Sequence, residues 1–446
     1  MNTLHSNELD SLYYKKSKEM DMKKVFVAGA ALMLAGSIAS AASAGTPNTS
    51  EETTGISLSG DARVTYVGMT DYERNAETDT ANGYSDFFES RVGLNFDAVA
   101  LGGTAVHARL YFDDYGFNDD AVWNGNGDDQ FGVSTDYAYI IAPLSETLSV
   151  KAGRLPLNFS AFYAGEIRAN RVQLIYKSGN FKLIPWVGVV SEDNSGLDNW
   201  NDNDFMQYGI IPVIQLNDAW DVKGYFRYND DQREWATDPT TTTENGVEVT
   251  VPATAHADRS GFDGTVQLNG TVGNIGLTAQ LAYAAADYQQ TEDDGIGGYI
   301  QAAFNMPEEL AFTPVVLAGM TQNGFMAWRD FGFVMVGGNQ PTTVVEVGNP
   351  DGDLMFGALV LMHDISDRFS AQCNLLYASY DYEDDSIAAG KLDSAIEISG
   401  VFSYAISEST NIEYKLGYLT PSYNDGAPDV LEDAYIGHAL GLNVEF

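Results

Sequence analysis

One pattern repeats along most of the sequence: apolar and polar residues alternate with a period of two. In the first such run, Ile56, Leu58 and Val64 alternate with polar residues such as Asp61 and Arg63. Successive side chains of a β-strand point to opposite faces, so this period predicts a strand with one apolar and one polar face. Eighteen such runs lie near 56–66, 88–98, 106–113, 136–142, 148–154, 170–177, 181–190, 205–216, 220–229, 261–269, 275–285, 297–305, 310–320, 354–363, 368–380, 394–404, 410–419 and 433–446.

The connections between the runs also alternate, between short turns and long polar loops. Leu101-Gly102-Gly103 and Gly273-Asn274 are examples of the short turns. Bacterial outer-membrane barrels sort their connections in this way, with short periplasmic turns and long extracellular loops. We therefore predict an all-β fold: a transmembrane antiparallel β-barrel of about 18 strands with a water-filled interior. Sixteen strands is the alternative, because Pro185, Pro212 and Pro314 lie inside predicted strands, where a missing ladder donor requires a bulge or an edge.

The amino terminus predicts secretion. Met22-Lys23-Lys24 precedes an apolar stretch of small residues that ends in Ala42-Ser43-Ala44, the features of a cleaved signal peptide. We predict that residues 22–44 are this signal peptide and that residues 1–21, before a good start at Met22, are an unstructured start-site overcall. The barrel then occupies residues 45–446.

Composition excludes several classes of function. A formal net charge of -40 disfavours nucleic acid as a partner, because nucleic acid requires basic patches. The single Cys373 excludes an intramolecular disulfide and a Cys-based zinc site. The histidines have no metal-ligand spacing, and neither a P-loop nor a Gly-x-Ser-x-Gly elbow occurs. We therefore expect no enzyme activity, no cofactor and no metal.

Two segments resemble the general diffusion porins of Gram-negative outer membranes. Gly153-Arg154 is similar to the end of the strand that precedes the inward-folded third loop, and the spacing of Arg168, Asn170, Val172, Tyr176 and Ser178 is similar to the strand that follows it. The alternating last strand ends at Phe446, which resembles the signal read by the barrel-assembly machinery. The resemblance implies a porin that folds residues 155–167 into its lumen, forms a homotrimer and contacts outer-membrane lipid and lipopolysaccharide.

Charged residues predict a constriction. Arg63, Arg91 and Arg109 lie near the middle of the polar faces of the first three strands, where residues at equal height form a ladder about 5 Å apart. We expect Glu166, with Asp61 or Asp113, to face this ladder. By the resemblance, Arg154, Arg168 and Arg171 add to the positive wall, and such a split-charge eyelet filters ions. The alternative is local neutralisation by acids such as Glu89 and Asp97, without any filter role.

The long loops are acidic, with carboxylates clustered in 113–129, 192–204, 292–294 and 383–385. Such runs are ordinarily solvated surface, although they also concentrate cations or bind divalent ions between lipopolysaccharide molecules. The sequence thus predicts a passive outer-membrane pore for ions and small hydrophilic solutes. The alternatives are a substrate-specific channel of the anion or phosphate type and a structural or interaction barrel.

Overall fold

The computed structural model describes residues 54–75, 80–114, 132–165, 167–191, 205–231, 240–244, 247–251, 259–289, 291, 293–306, 312–338, 340–382 and 388–446. Nearly all regular structure in this part of the chain is strand. The strands are β1 Gly55–Asn75, β2 Thr80–Val99, β3 Ala105–Asp114, β4 Gly132–Pro143, β5 Leu148–Leu157, β6 Ile167–Ser178, β7 Phe181–Ser191, β8 Phe205–Asn217, β9 Trp220–Asp231, β10 Thr240–Glu244, β11 Val247–Val251, β12 Gly261–Val272, β13 Ile275–Ala284, β14 Gly295–Phe304, β15 Thr313–Gln322, β16 Gly352–Ser366, β17 Phe369–Tyr382, β18 Leu392–Ser407, β19 Thr410–Tyr423 and β20 Tyr435–Glu445.

Helix is confined to two single turns, α1 Ala286–Gln289 and α2 Asp429–Glu432. Among the described residues, no helix is long and apolar enough to cross a membrane.

Eighteen of the described strands form one closed antiparallel barrel, and β10 and β11 form a separate hairpin. Strand β1 pairs with both β2 and β20, so the first and last strands close the sheet. At this seam the backbone N–H of Gly60 donates to Phe446 O at 2.7 Å, and Phe446 N–H donates back to Gly60 O at 2.9 Å. The eighteen predicted runs each correspond to one barrel strand, which confirms the fold class and decides against sixteen strands.

The three prolines occupy strands inside the barrel, without the bulge or edge that the sequence led us to expect. The β6–β7 pairing has partners at Trp186 and Leu183 but none at Pro185 between them, and its register is the same on both sides. The β8–β9 pairing likewise omits Pro212. The β14–β15 pairing includes β15 only from Val315, the residue after Pro314. A closed sheet thus tolerates the missing donor as a local gap, because the neighbouring pairs hold the register.

The outer face of the barrel is apolar and exposed. Leu281, Ile300 and Met355 are 63–65% exposed, and most barrel strands place similar side chains on the same face. Such a continuous apolar surface is unfavourable in water and favourable in hydrocarbon, and a closed barrel leaves no unpaired strand edge there. The outer face is therefore the surface that contacts lipid.

The sequence predicts a water-filled interior, but half of the lumen has an apolar, buried wall. The inner faces of β13–β18 are largely apolar, and Val315, Leu317, Leu354, Val360 and Leu376 on them are almost completely buried. Two inward-folded loops supply the aromatic residues that cover part of this wall. Charged residues instead concentrate on the inner faces of β1–β9 and β12, so the lumen has a dry side and a charged side.

Candidate pore constriction

The third long loop, described over residues 158–165, lies inside the barrel and packs on the inner faces of β9 and β12–β14. Strand β5 continues through Pro156 to Leu157, which pairs with Ile167, so this loop is shorter than the predicted segment 155–167. Phe159, Phe162 and Tyr163 are buried in the lumen. The position of the loop confirms the inward-folded third loop that the porin resemblance implied.

Polar contacts fix the third loop to β9, β12 and β13. Lys223 Nζ donates to Phe159 O at 2.7 Å, and Gln280 Nε2 donates to Ser160 Oγ at 2.7 Å. The Tyr163 hydroxyl donates to Asp263 Oδ2. Three separate strands therefore hold the loop across the lumen, which makes it a fixed obstacle in the pore.

Asp263 also neutralises Arg227 on the neighbouring strand. Arg227 Nε and Nη2 each donate to one Asp263 oxygen at 2.7 Å, and Asn229 Nδ2 donates to Oδ1 at 2.7 Å. Both charged side chains are buried. Bidentate geometry and an additional amide donor are the conditions under which a buried ion pair is tolerated.

A second loop also enters the lumen, and sequence reasoning missed it. The seventh long loop lies between β15 and β16; it buries Val334 and Met335 against β18–β20 and Phe331 against Tyr299 of β14 and Phe356 of β16. A Cβ added at Gly417 on β19 would lie 2.5 Å from Met335 Cγ, and one at Gly437 on β20 would lie 3.1 Å from Thr342 Cβ. These two glycines therefore provide the room in which the seventh loop docks.

Glu397 on β18 is the main polar anchor of the seventh loop. Its side chain is completely buried and accepts backbone N–H bonds from Val334 at 3.0 Å, from Met335 at 3.1 Å and from Val336 at 2.8 Å. Lys415 Nζ adds a 2.8 Å bond to Gln340 Oε1 of the same loop. A carboxylate that accepts three amide donors compensates for its own burial, and it holds three consecutive loop residues in one position.

The third and seventh loops meet in the middle of the lumen. Trp328 N–H donates to Phe162 O at 2.9 Å, and the Phe162 ring lies edge-on to Phe331 with centroids 4.9 Å apart. A cavity of about 520 Å³ lies beside this contact. It is lined by Tyr163, Ala164, Ile167, Arg227, Met326, Ala327, Trp328 and Arg329. Together the loops narrow the lumen, and the part of its charged side that lies on β1–β4 faces them.

On the charged side, Arg63 and Arg91 are direct cross-strand partners, as the ladder prediction requires. Arg63 contacts Glu89 at 3.5 Å, and the two side chains are 42% and 30% exposed. Arg91 stacks over Tyr111 with 4.6 Å between its guanidinium carbon and the ring centroid. Charges that stay this exposed inside a lipid-embedded barrel require water around them.

The prediction that Arg109 lies at the same height as the other two arginines is wrong. Arg109 pairs with Asn95, which is four residues further along β2 than Arg91. The turn at 100–104 sets this register, because it makes Val99 the partner of Ala105. Tyr111 lies between the two guanidinium groups, 4.8 Å from that of Arg109.

Arg109 belongs instead to a chain of alternating charges. Its Nη2 donates to Asp61, its Nε lies 3.9 Å from Asp136, and Arg168 Nε donates to Asp136 at 2.5 Å. Asp136 is the extra residue of a bulge in the β3–β4 pairing, which brings it between the two arginines. The local neutralisation that the sequence left open thus occurs at Arg109 through Asp61 and Asp136, and at Arg63 through Glu89. Asp97, the other acid named in that alternative, contacts a histidine instead: its Oδ1 lies 2.5 Å from His107 Nδ1.

The remaining predicted constriction residues do not join this group. Arg154 is exposed and lies opposite Ala138 and Asn170 on the outer side of the wall, where its Nε donates to the carbonyls of Thr135 and Asp136 at 3.1 Å. Arg171 faces inward but is buried behind the third loop. Glu166 and the side chain of Asp113 lie outside the described residues, as do most of the acidic clusters in the long loops.

The missed residues had weak signals in the sequence. The segment from Phe325 to Val336 is aromatic and apolar, unlike the acidic long loops, and this contrast marks a loop with a buried destination. Glu397 looks like any other polar residue of a lumen-facing strand. Its partners are more than sixty residues earlier in the chain, and no local pattern links the two segments.

The sequence matches no protein-family model and none of the curated proteins. The fold, in contrast, matches solved outer-membrane channels of Pseudomonas aeruginosa. OccK11 (OpdR) superposes with a TM-score of 0.53 at 9% identity, covering 88% of this chain and 96% of that chain. OccK8 (OprE) gives 0.53 at 10% identity with 88% and 98% coverage, and the outer membrane protein OprD gives 0.53 at 9% identity with 90% and 96% coverage. The chain therefore has the closed 18-stranded fold of outer-membrane porins, and it is by fold an outer-membrane β-barrel.

Proposed function

We propose that this protein is a passive outer-membrane pore for ions and small hydrophilic solutes, with a conducting path along the charged side of the lumen. The observation that carries the proposal is the exposed Arg63–Glu89 pair inside a closed barrel, opposite a wall that is apolar and buried. The third and seventh loops narrow this path, and the arginines of β1–β3 line it. No reaction and no cofactor form part of the proposal.

A homotrimer embedded in outer-membrane lipid and lipopolysaccharide also remains part of this proposal, as does recognition of the strand that ends at Phe446 by the barrel-assembly machinery. The porin fold and the exposed apolar outer face support it. Residues 22–44 would direct export and be removed.

Single-channel recording of the purified mature protein in a planar bilayer under a KCl gradient tests the pore. Large ohmic steps are expected, because hydrated charges line an open path. Conductance that saturates with an added solute would instead indicate a substrate-specific channel. Correctly folded protein without conductance would contradict the pore and leave a structural barrel.

Neutralising the two paired arginines, Arg63 and Arg91, should shift the reversal potential toward cation selectivity. Arg63 and Arg91 face the charged side of the lumen, where removing positive charge lowers the local concentration of anions. The measurement compares the double variant Arg63→Gln/Arg91→Gln with wild type in the same KCl gradient, first at low and then at high ionic strength. The shift should shrink at high salt, because the interactions of exposed charges are screened.

Arg154→Gln is the matched control for this prediction. It removes one positive charge, by the same Arg→Gln change, from the outer side of the wall, and its reversal potential should stay at the wild-type value. An equal shift in the control would show that selectivity does not arise from the charged side of the lumen.

A further inference from the structure

Arg171 on the inner face of β6 is a buried cation that has no counter-charge within the described part of the chain. Arg171 is 3% exposed, and its Nε, Nη1 and Nη2 atoms have no hydrogen-bond partner among the described residues. The guanidinium stacks over Trp186 of β7, 4.6 Å from the ring centroid. Trp186 Nε1 is a second buried donor that has no hydrogen-bond partner among the described residues. Two unsatisfied donors on adjacent strands point to a missing acceptor.

Asp263, the acid that neutralises Arg227 on the same wall, has no remaining capacity for Arg171. Asp263 already accepts two hydrogen bonds from Arg227, one from Asn229 and one from Tyr163. Arg227 is near enough to act electrostatically on Arg171 and adds a second positive charge there.

Lys223 brings a third positive charge behind the same loop. Its Nζ donates to the carbonyl of Phe159, which is uncharged, and lies over the Phe159 ring at 4.7 Å. The wall behind the third loop therefore holds three cations, Arg171, Lys223 and Arg227, and the ion pair with Asp263 neutralises one of them.

An unpaired charge that is shielded from water raises the free energy of the folded protein strongly unless an opposite charge accompanies it. We propose that Arg171, with the indole N–H of Trp186, binds a small inorganic anion of the halide type behind the third loop. This ion is a resident part of the structure and does not pass through the pore.

Close packing sets the size of the ion. A Cβ added at Gly188 would lie 2.7 Å from Arg171 Cγ, and one at Gly209 would lie 2.5 Å from Trp186 Nε1. A monatomic anion is comparable in size with a water molecule, whereas an organic solute would have to displace the stacked side chains. The bound ion would stabilise the β6–β9 wall on which the third loop rests.

Crystals grown with sodium bromide as the only halide test the site directly. An anomalous difference peak is expected within hydrogen-bonding distance of the Arg171 guanidinium, and it should vanish in Arg171→Met, which keeps an unbranched side chain and removes the guanidinium with its charge. No peak at Arg171 in the wild type would overturn the proposal. A peak that persists in Arg171→Met would also overturn it, because the ion would then not depend on the guanidinium.

A solution measurement keeps the proposal testable if the variant does not crystallise. The unfolding temperature of the wild type should rise as bromide replaces gluconate, an anion too large for the site, because ligands that bind only the folded state stabilise it. Arg171→Met should lose this dependence, and Arg368→Met, on the exposed turn between β16 and β17, should keep it. Equal responses of all three proteins would contradict a site at Arg171.

Discussion

Replacing Glu397 with alanine should release the seventh loop from the barrel wall and increase the single-channel conductance. The carboxylate accepts hydrogen bonds from the N–H groups of Val334, Met335 and Val336, and within the described part of the chain these groups have no second acceptor. Each buried donor left without a partner costs about 1–3 kcal/mol, so the docked position of the loop should lose about 3 kcal/mol or more. A loop that leaves the wall no longer narrows the lumen at a fixed position, and the current should become larger and noisier.

Planar-bilayer recordings of Glu397→Ala and Glu397→Gln beside the wild type measure this effect. The glutamine variant keeps one acceptor oxygen and should show a smaller change. Gly417→Val provides an independent route to the same result, because a Cβ at Gly417 would already lie 2.5 Å from Met335 Cγ. Unchanged conductance in both Glu397→Ala and Gly417→Val would show that the seventh loop does not limit the pore.

Replacing Asp263 with alanine should lower the thermal stability of the barrel and loosen the third loop. Asp263 accepts two hydrogen bonds from Arg227, and removing one partner of a buried ion pair costs about 3–5 kcal/mol. The same change removes the acceptor of the Tyr163 hydroxyl, which holds the third loop on β12. We therefore expect a lower unfolding temperature together with increased fluctuation of the open-channel current.

Circular dichroism on heating in detergent, followed by bilayer recording, measures both effects. Glu89→Gln is the matched control, because it breaks the partly exposed pair with Arg63, and exposed pairs contribute only about 0–1 kcal/mol. Tyr163→Phe separates the two roles, since it removes the anchor of the loop and keeps the ion pair. If Asp263→Ala and Glu89→Gln had equal unfolding temperatures, the buried network would not stabilise the barrel as described.

The strands and the closure of the barrel could be predicted from the sequence, because they depend on a local property. Each strand shows its two faces as an alternation in its own residues, and the seam needs only that β1 and the strand ending at Phe446 have unpaired edges. The pairing of Arg63 with Arg91 followed for the same reason, since both lie near the middle of consecutive strands.

The constriction could be predicted only in part, because it depends on register and on contacts between distant segments. The offset of Arg109 arises from the turn before β3, and the position of Asp136 arises from a bulge; neither changes the alternation of the residues themselves. Arg154 was assigned to the constriction by resemblance, whereas alternation along β5 places it opposite the exposed Ala138. The dry half of the lumen could not be predicted without knowing where the seventh loop docks.

Thiol modification during bilayer recording tests most directly whether ions follow the charged side of the lumen. The background is Cys373→Ser, which removes the single exposed cysteine, and the two compared changes are Arg63→Cys and Thr321→Cys. Thr321 is completely buried on the inner face of β15, on the apolar side. A bulky charged methanethiosulfonate reagent should reduce the current through Arg63→Cys promptly and leave that through Thr321→Cys unchanged. Reduction of the current only in Thr321→Cys would contradict the account, because the conducting path would then lie on the apolar side.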